Sequence, residues 1–245
     1  MQNENIVKID NLYKQFGNNV VLNGFNLELH KGENLVVMGK SGSGKSVMIK
    51  CIVGLENYDK GSIKVNNYEI QSLKRKELDV LRTEIGFLFQ GSALYDSMSV
   101  RENLEFPLRR HQKKTDKQEN IEPLVIEALE NVGLAHAIDL MPNELSGGMK
   151  RRIALARTLI LKPSIILYDE PTSGLDPITS KEIILLMKSI QKKYNTSSII
   201  ITHDLDCAKA IANRIILLID GKNYAEGTFE KLQSSNDIKI KAFFK

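Results

Sequence analysis

Several groups of residues in this sequence carry chemistry that packing alone does not require. The first is Gly39-Lys40-Ser41-Gly42-Ser43-Gly44-Lys45-Ser46, a fit to the G-x-x-x-x-G-K-[ST] pattern of a phosphate-binding loop. Its glycines let the backbone close around phosphate, and free N–H groups at a helix start favour anions. Lys45 has the reach for β- and γ-phosphates, and the Ser46 hydroxyl suits Mg²⁺. At average residue usage such a match arises on the order of once in a hundred chains of this length, so its context decides its meaning. A second group is Asp169-Glu170, which closes the apolar run Ser164 to Tyr168. Two acids at the end of a buried strand are poor for packing and useful for a metal and a water. Gln90 closes the apolar run Ile85 to Phe89, and His203-Asp204 closes the run Ser198 to Thr202. A lone histidine is more often structural than catalytic, but here a third strand end delivers a polar group to the edge where the phosphate loop lies.

Another group opens a helix. Ser146 is a natural N-cap, and Gly147 and Gly148 leave backbone N–H groups uncovered before Met149. Lys150, Arg151 and Arg152 follow, although cations in a first turn oppose the helix dipole. This mismatch makes sense if an anion docks on the helix end; the alternative is a solvated basic face.

Positioning these residues needs a parallel sheet with helices. The run Leu35-Val36-Val37-Met38 reads as the strand ahead of the phosphate loop, and Val47, Met48, Ile49, Ile52 and Val53 give the following helix a broad apolar face. Residues 6 to 29 alternate, clearest at Phe25, Leu27 and Leu29 against Asn26, Glu28 and His30, which predicts antiparallel strands around a turn at Gly17-Asn18-Asn19. Phe16, just before that turn, is either a stacking platform for adenine or an ordinary core or strand residue. Gly61 to Val65 and Glu69-Ile70 extend this β-layer. Residues 91 to about 160 read as a helical insertion. In it, a capping box at Ser99-Val100-Arg101-Glu102 opens a helix that Pro107 is expected to stop, followed by a solvated basic loop, Arg109 to Lys117. Pro123 then begins a helix carrying Leu124, Ile126, Ala128 and Leu129 that ends at Gly133. Ser173 to Pro177 turns into a helix with Ile183, Ile184, Leu186, Met187 and Ile190 inward. Ile215 to Ile219, Asp220-Gly221 and Tyr224-Ala225 form a closing hairpin before an amphipathic tail, Thr228 to Lys245.

The chain has 245 residues, enough for one large α/β domain with an inserted subdomain. Its 34 Lys plus Arg against 30 Asp plus Glu leave a net charge of +4, too mild to mark a nucleic-acid binder. Cys51 and Cys207 read as reduced, core-facing thiols rather than a disulfide framework or a metal knuckle. No basic and apolar leader opens the sequence, and its apolar runs are far below the ~20 residues that span a bilayer, so a cytoplasmic chain is expected.

In order and spacing these residues resemble the nucleotide-binding subunits of ABC transporters, over nearly the whole chain. Gly39 to Ser46 matches Walker A, Gln90 the Q-loop, and Leu145 to Met149 the LSGG-type signature. Ile165 to Asp169 matches Walker B with Glu170 next, Ser173 to Asp176 the D-loop and His203 the H-loop. The resemblance implies an α/β P-loop NTPase (RecA-like) core with an antiparallel β subdomain and an inserted helical subdomain. That is one domain over 1–245, with the core at 1–90 and 161–245 and the helices at 91–160. It implies ATP and Mg²⁺, with Glu170, His203, Gln90 and Lys45 catalytic and Ser46, Gln90 and Asp169 toward the metal. ATP would be held by Phe16, where the family has an adenine-stacking aromatic, and by Gly39, Lys40, Ser41, Gly42, Ser43, Gly44, Lys45 and Ser46. A second copy would complete the site through Ser146, Gly147, Gly148 and Asp176.

The segment Phe89 to Val100, with Asn103-Leu104 and Phe106 to Arg109, looks like the Q-loop region of Mla-type lipid-transport ATPases, as do Leu140 to Met149 and Asp176 to Thr179. That likeness implies a homodimer on the cytoplasmic face of the inner membrane, held peripherally by an MlaE-like integral-membrane permease. It also implies an MCE-domain lipid-binding partner and no nucleic acid. The rival within the class is the ATPase of an amino-acid or other small-solute importer, which shares every ATP motif. A soluble ABC protein acting on ribosomes or DNA is a third reading.

Overall fold

The alternation near the N-terminus forms antiparallel strands as expected. In the computed structural model, which describes residues 4–111 and 120–244, β1 (Asn5–Phe16) and β2 (Asn19–His30) pair around a turn in which Gly17 has φ of 57°. Next come β3 (Asn34–Met38), α1 (Lys45–Ile52), β4 (Lys60–Val65), β5 (Tyr68–Glu69), α2 (Arg75–Leu81) and β6 (Ile85–Leu88). Helices α3 (Val100–His111), α4 (Glu122–Glu130) and α5 (Gly147–Leu159) follow. The chain then alternates through β7 (Ile165–Asp169), α6 (Pro177–Tyr194), β8 (Ser197–Ile201), α7 (Leu205–Ile211) and β9 (Arg214–Ile219), and closes with β10 (Lys222–Gly227), α8 (Phe229–Gln233) and α9 (Ile238–Lys241).

Two sheets result. One is antiparallel, in the order β2-β1-β4-β5. The other runs β10-β9-β3-β8-β7-β6, with only β10 antiparallel. Because successive side chains of a strand point to opposite faces, neighbouring residues of the larger sheet feed different cores. Val37, Ile165, Leu167, Ile199 and Ile201 join α1 and the smaller sheet in one core, while Val36, Ile166, Tyr168 and Ile200 pack beneath α6 and α7 in another. Strands buried on both faces explain why these runs read as continuously apolar.

The helical insertion has a third core around Val100, Leu104, Val125, Leu129 and Ile153. Helix α5 belongs to two of them: Ile153, Ala156 and Ile160 face the insertion, while Ala154, Leu155 and Leu159 face the sheet. Of the apolar residues expected on α4, Ile126 is 39% exposed; Val125, Ala128 and Leu129 are the buried stripe.

Pro107 does not stop its helix. Helix α3 opens with the expected capping box, in which the Ser99 amide donates to Glu102 and the Glu102 amide donates to Ser99 Oγ, and then runs through Pro107 to His111. Contacts on either side of the proline accompany this continuation: Glu105 pairs with Arg109 across it, and Phe106 packs against Tyr95. The fully buried Asn103 fastens the opening turn by donating to the carbonyls of Tyr95, Met98 and Ser99. Beyond the proline, Arg109 pairs with Glu105 at 2.5 Å, and Arg109, Arg110 and His111 sit in the last turn, where the helix dipole favours cations. These residues of the expected basic loop are therefore helical, and its remainder, 112–117, lies outside the described residues. Cys51 and Cys207 are free and buried, and burial pushes each thiol up to about 12.

Candidate functional site

Strands β3, β6, β7 and β8 run in the same direction, so their C-terminal ends share one edge of the sheet. Each end delivers one of the groups marked in the sequence: the glycine-rich loop after β3, Gln90 after β6, Asp169 and Glu170 at β7, and His203 after β8. Gly39 to Gly42, Lys45, Ser46, Gln90, Glu170 and His203 line one chamber of about 530 Å³.

The loop is shaped by steric necessity. A Cβ on Gly39 would lie 2.6 Å from Ser43 Oγ and 2.8 Å from the Leu218 carbonyl. Gly44 has φ of 100°, and a Cβ there would meet Val21 of the β1–β2 hairpin at 2.6 Å. Helix α1 begins at Lys45 with Gly44 as N-cap, no side-chain cap and no acid in its first turn, so its free N–H groups remain open to an anion. The buried Ser43 hydroxyl likewise has no hydrogen-bond partner. Lys45 folds back and donates to the carbonyls of Gly39 at 2.8 Å and Lys40 at 3.0 Å. Burial lowers its pKa, opposed by the charges of Glu170 and Asp169.

Ser46 Oγ donates to Asp169 Oδ1 at 3.1 Å. Burial raises the pKa of Asp169, the Ser46 hydrogen bond lowers it, and the neighbouring Glu170 raises it. Among the described residues no group of three or more His, Cys, Asp or Glu is placed to hold a metal. Such a group is not needed for Mg²⁺, which takes one or two protein oxygens and completes its shell with phosphates and water. The hard oxygens of Ser46 and Asp169, with Gln90 on the same chamber, fit that requirement. Glu170 has φ of 51°, a left-handed backbone costly for a side-chain-bearing residue and typical of functional positions. Its amide donates to the Ile201 carbonyl at 2.9 Å, and its Oε2 lies 2.8 Å from His203 Nδ1. Asp204, beside His203, caps α7 and accepts from Thr172 Oγ1.

Residues 22–173 match the family described as ABC transporter. The chain belongs to that family. Like the methionine import ATP-binding protein MetN of Campylobacter jejuni, to which it is 41% identical over 97% of this chain and 75% of that protein, it is an ATP-binding subunit. It is 39% identical to the intermembrane phospholipid transport ATP-binding protein MlaF of Haemophilus influenzae, over 99% of this chain and 91% of that one. Among solved structures it superposes on the dimeric post-hydrolysis cassette MJ0796 bound to ADP and phosphate, with a TM-score of 0.82 and 34% identity over 91% of this chain and 98% of that one. It also superposes on cbiO1 of Clostridium perfringens, with a TM-score of 0.85 and 28% identity over 99% of this chain and 96% of the other. The fold is the ABC ATPase fold, and the activity is ATP hydrolysis.

The remaining marked residues of this ABC ATPase lie elsewhere. Ser146 caps α5 by accepting from the Met149 amide at 3.2 Å. Asp176 caps α6 by accepting from the amides of Ile178 and Thr179 and from Thr179 Oγ1. The two helix starts touch: a Cβ on Gly148 would meet Thr179 Cγ2 at 2.7 Å. Ser146, Gly147, Gly148 and Asp176 thus form a second surface and do not line the phosphate chamber of their own chain. Phe16 ends β1 opposite Asn19 and is 46% exposed. A cavity of about 510 Å³ that Phe16 does not line runs between Asn19 to Val21 of the hairpin and Lys40 to Ser43.

Three features escaped the sequence reading. Lys14 is buried, bonds Glu56 at 2.8 Å and sets its ammonium 4.6 Å from the centre of the Phe16 ring; the period of β1, which puts residues 14 and 16 on one face, was the available signal. The C-terminal tail returns to the site, with Ala242 and Phe243 walling the phosphate chamber. The basic run at the start of α5 is not a uniformly solvated face: Arg152 pairs with Glu182 at 2.5 Å, and Arg151 is buried among backbone carbonyls.

Proposed function

We propose that this chain powers lipid transport across the cell envelope, working as one of two identical ATPases beneath an MlaE-like permease on the cytoplasmic side of the inner membrane, with an MCE-domain lipid-binding protein as a further partner. The observation that carries the ATPase mechanism is the meeting of Lys45, Ser46, Gln90, Asp169, Glu170 and His203 at one sheet edge. Lys45 leaves the loop carbonyls for the β- and γ-phosphates, and the open N–H groups of the loop and of α1 cradle them. Phe16 stacks on adenine. Glu170 polarises the attacking water, and His203, oriented by Glu170, steadies the γ-phosphate in the transition state. Ser46, Gln90 and Asp169 would hold Mg²⁺, which would supply positive charge to the phosphate oxygens. Ser146, Gly147 and Gly148 of a second copy cover the γ-phosphate and Asp176 links the two sites, in keeping with these residues lying apart from their own chamber.

Support for the lipid reading comes from the likeness to MlaF, and support for coupling to a permease from the Phe89 to Arg109 segment. It walls a groove of about 590 Å³ whose lining is aromatic at Phe87, Phe89, Tyr95 and Phe106 and carries Arg110 beside an Arg82 already paired with Asp79. Such a groove accepts an amphipathic permease helix bearing a carboxylate, and transmits dimer closure to it. A second reading, methionine or other small-solute import, is favoured by the likeness to MetN.

Glu170→Gln keeps shape and hydrogen bonding but cannot accept a proton. We expect kcat to fall about 10²–10⁴-fold with ATP affinity retained; a rate above a tenth of wild type overturns the assignment. The substrate is tested by gentle membrane extraction of the tagged chain and mass spectrometry. A permease with an MCE-domain protein and phospholipid supports lipid transport, whereas a permease with a solute-binding protein moves the function to import.

A further inference from the structure

Arg151 is a buried cation with no carboxylate partner among the described residues. It is 4% exposed, lies just over one turn into α5, and ends among three backbone carbonyls. Nη1 donates to Phe89 at 2.8 Å, while Nη2 donates to Gln90 at 2.5 Å and more weakly to Ser173 at 3.4 Å. Its Nε is buried without a partner. Burying a guanidinium against neutral acceptors, with one donor unsatisfied, costs stability that an apolar side chain of similar length avoids. What the arginine does that an apolar residue cannot is join three segments: the Q-loop after β6, the D-loop between β7 and α6, and the helix that begins at the signature. Its planar fork holds the first two at fixed spacing. Helix α5 makes a second such grip at Arg157, which donates to the carbonyls of Ser92 and Ala93; both have positive φ, 61° and 50°. The loop after Gln90 is thus held in a costly conformation by the signature helix itself.

We propose that Arg151 is a positioning residue for ATP hydrolysis. It fastens the Gln90 backbone to the signature helix and the D-loop, so the place Gln90 takes at the nucleotide of one copy sets the place of Ser146 and Gly147 offered to the other. The proposal rests on the reading of Gln90 as a contact to metal and water.

The test uses the full-length chain and four variants: Arg151→Met, Arg151→Lys, Gln90→Ala and the Arg151→Met/Gln90→Ala pair. Melting temperature, ATP affinity, kcat and the Mg²⁺ concentration for half-maximal rate are read for each. Arg151→Met should hold ATP affinity within about twofold and lower kcat at least tenfold with a raised Mg²⁺ requirement, and Arg151→Lys should recover part of the rate. In the Gln90→Ala background the same change should cost no more than about threefold, because coupled residues are non-additive. Equal losses with and without Gln90, or a fall in ATP affinity that tracks melting temperature across the Met and Lys variants, would make Arg151 a structural staple and overturn the proposal. If Arg151→Met does not fold, Arg151→Lys carries the same comparison, since a single point charge cannot bridge both loops. A silent Gln90→Ala, with unchanged rate and Mg²⁺ requirement, would instead remove the reading of Gln90 on which the proposal stands.

Discussion

Replacing Gly148 by alanine sets two effects of known size against each other. Gly148 lies in the first turn of α5, where alanine is the better helix former by about 0.5–1 kcal/mol. Against this, the new Cβ would sit 2.7 Å from Thr179 Cγ2, about 0.7 Å inside the 3.4 Å at which ordinary contact begins. Thr179 cannot swing away cheaply, because its amide and hydroxyl both bind Asp176 at the cap of α6. Overpacking of this kind costs about 1–3 kcal/mol, so the clash should win by about 1 kcal/mol. In a chain of this size that lowers Tm by roughly 2–4 °C. The decisive partner is Thr179→Ser, which deletes the obstructing methyl and keeps the hydroxyl for Asp176. Alone it should cost about 0.8 kcal/mol of lost burial at most. Combined with Gly148→Ala it should raise Tm above that of Gly148→Ala, since the clash is gone and the helix gain remains. Thermal unfolding followed by circular dichroism reads all four proteins. A Gly148→Ala variant that melts at or above wild type would show that helix propensity alone governs the position and would refute the packing argument.

The ring of Phe16 is covered on one side by the Lys14 ammonium, a contact worth about 0.5–1 kcal/mol where it is partly exposed. Lys14→Met should therefore weaken ATP binding roughly two- to fivefold by calorimetry and leave inorganic tripolyphosphate untouched; parallel losses for both ligands would mean that Lys14 serves the loop rather than the base. Burial raises both thiols from 9.0 to about 12, so at pH 8 the folded chain should alkylate about a thousandfold more slowly than an exposed cysteine of ordinary pKa. Because these folded-state values lie above the unfolded one, the thiols' contribution to stability is complete below pH 9 and is lost as the pH climbs toward 12. Rapid labelling of either cysteine at pH 8 would contradict its burial.

Much of the site was legible because its chemistry is local. A phosphate loop is defined by glycines, a lysine and a serine within one turn of chain, and acids or amides closing apolar runs mark strand ends wherever the sheet places them. The helix that should have stopped at Pro107 was misread because a local breaker rule takes no account of contacts such as Phe106 against Tyr95 and the Glu105–Arg109 pair across the proline. The cations after the signature were misread for a similar reason. Nothing in Lys150-Arg151-Arg152 says which of them turns inward, since the carbonyl that receives Arg151 is supplied by Phe89, 62 residues earlier. The return of Phe243 to the phosphate chamber was equally invisible, being fixed by how α8 and α9 pack rather than by any pattern in the tail.

The position of β3 also has a bearing on how the chain is made. It lies between β8 and β9, with Asn34 opposite Ser198 and Leu35 opposite Arg214. At about 5–20 residues per second, a ribosome extrudes β3 roughly 8–33 s before either neighbour exists. The β1–β2 hairpin can close as soon as it emerges, but the strand that carries the phosphate loop must wait unpaired, apolar from Leu35 to Met38. The nascent chain is therefore most vulnerable to aggregation at the segment on which its activity depends, and nucleotide cannot assist folding until synthesis has passed His203.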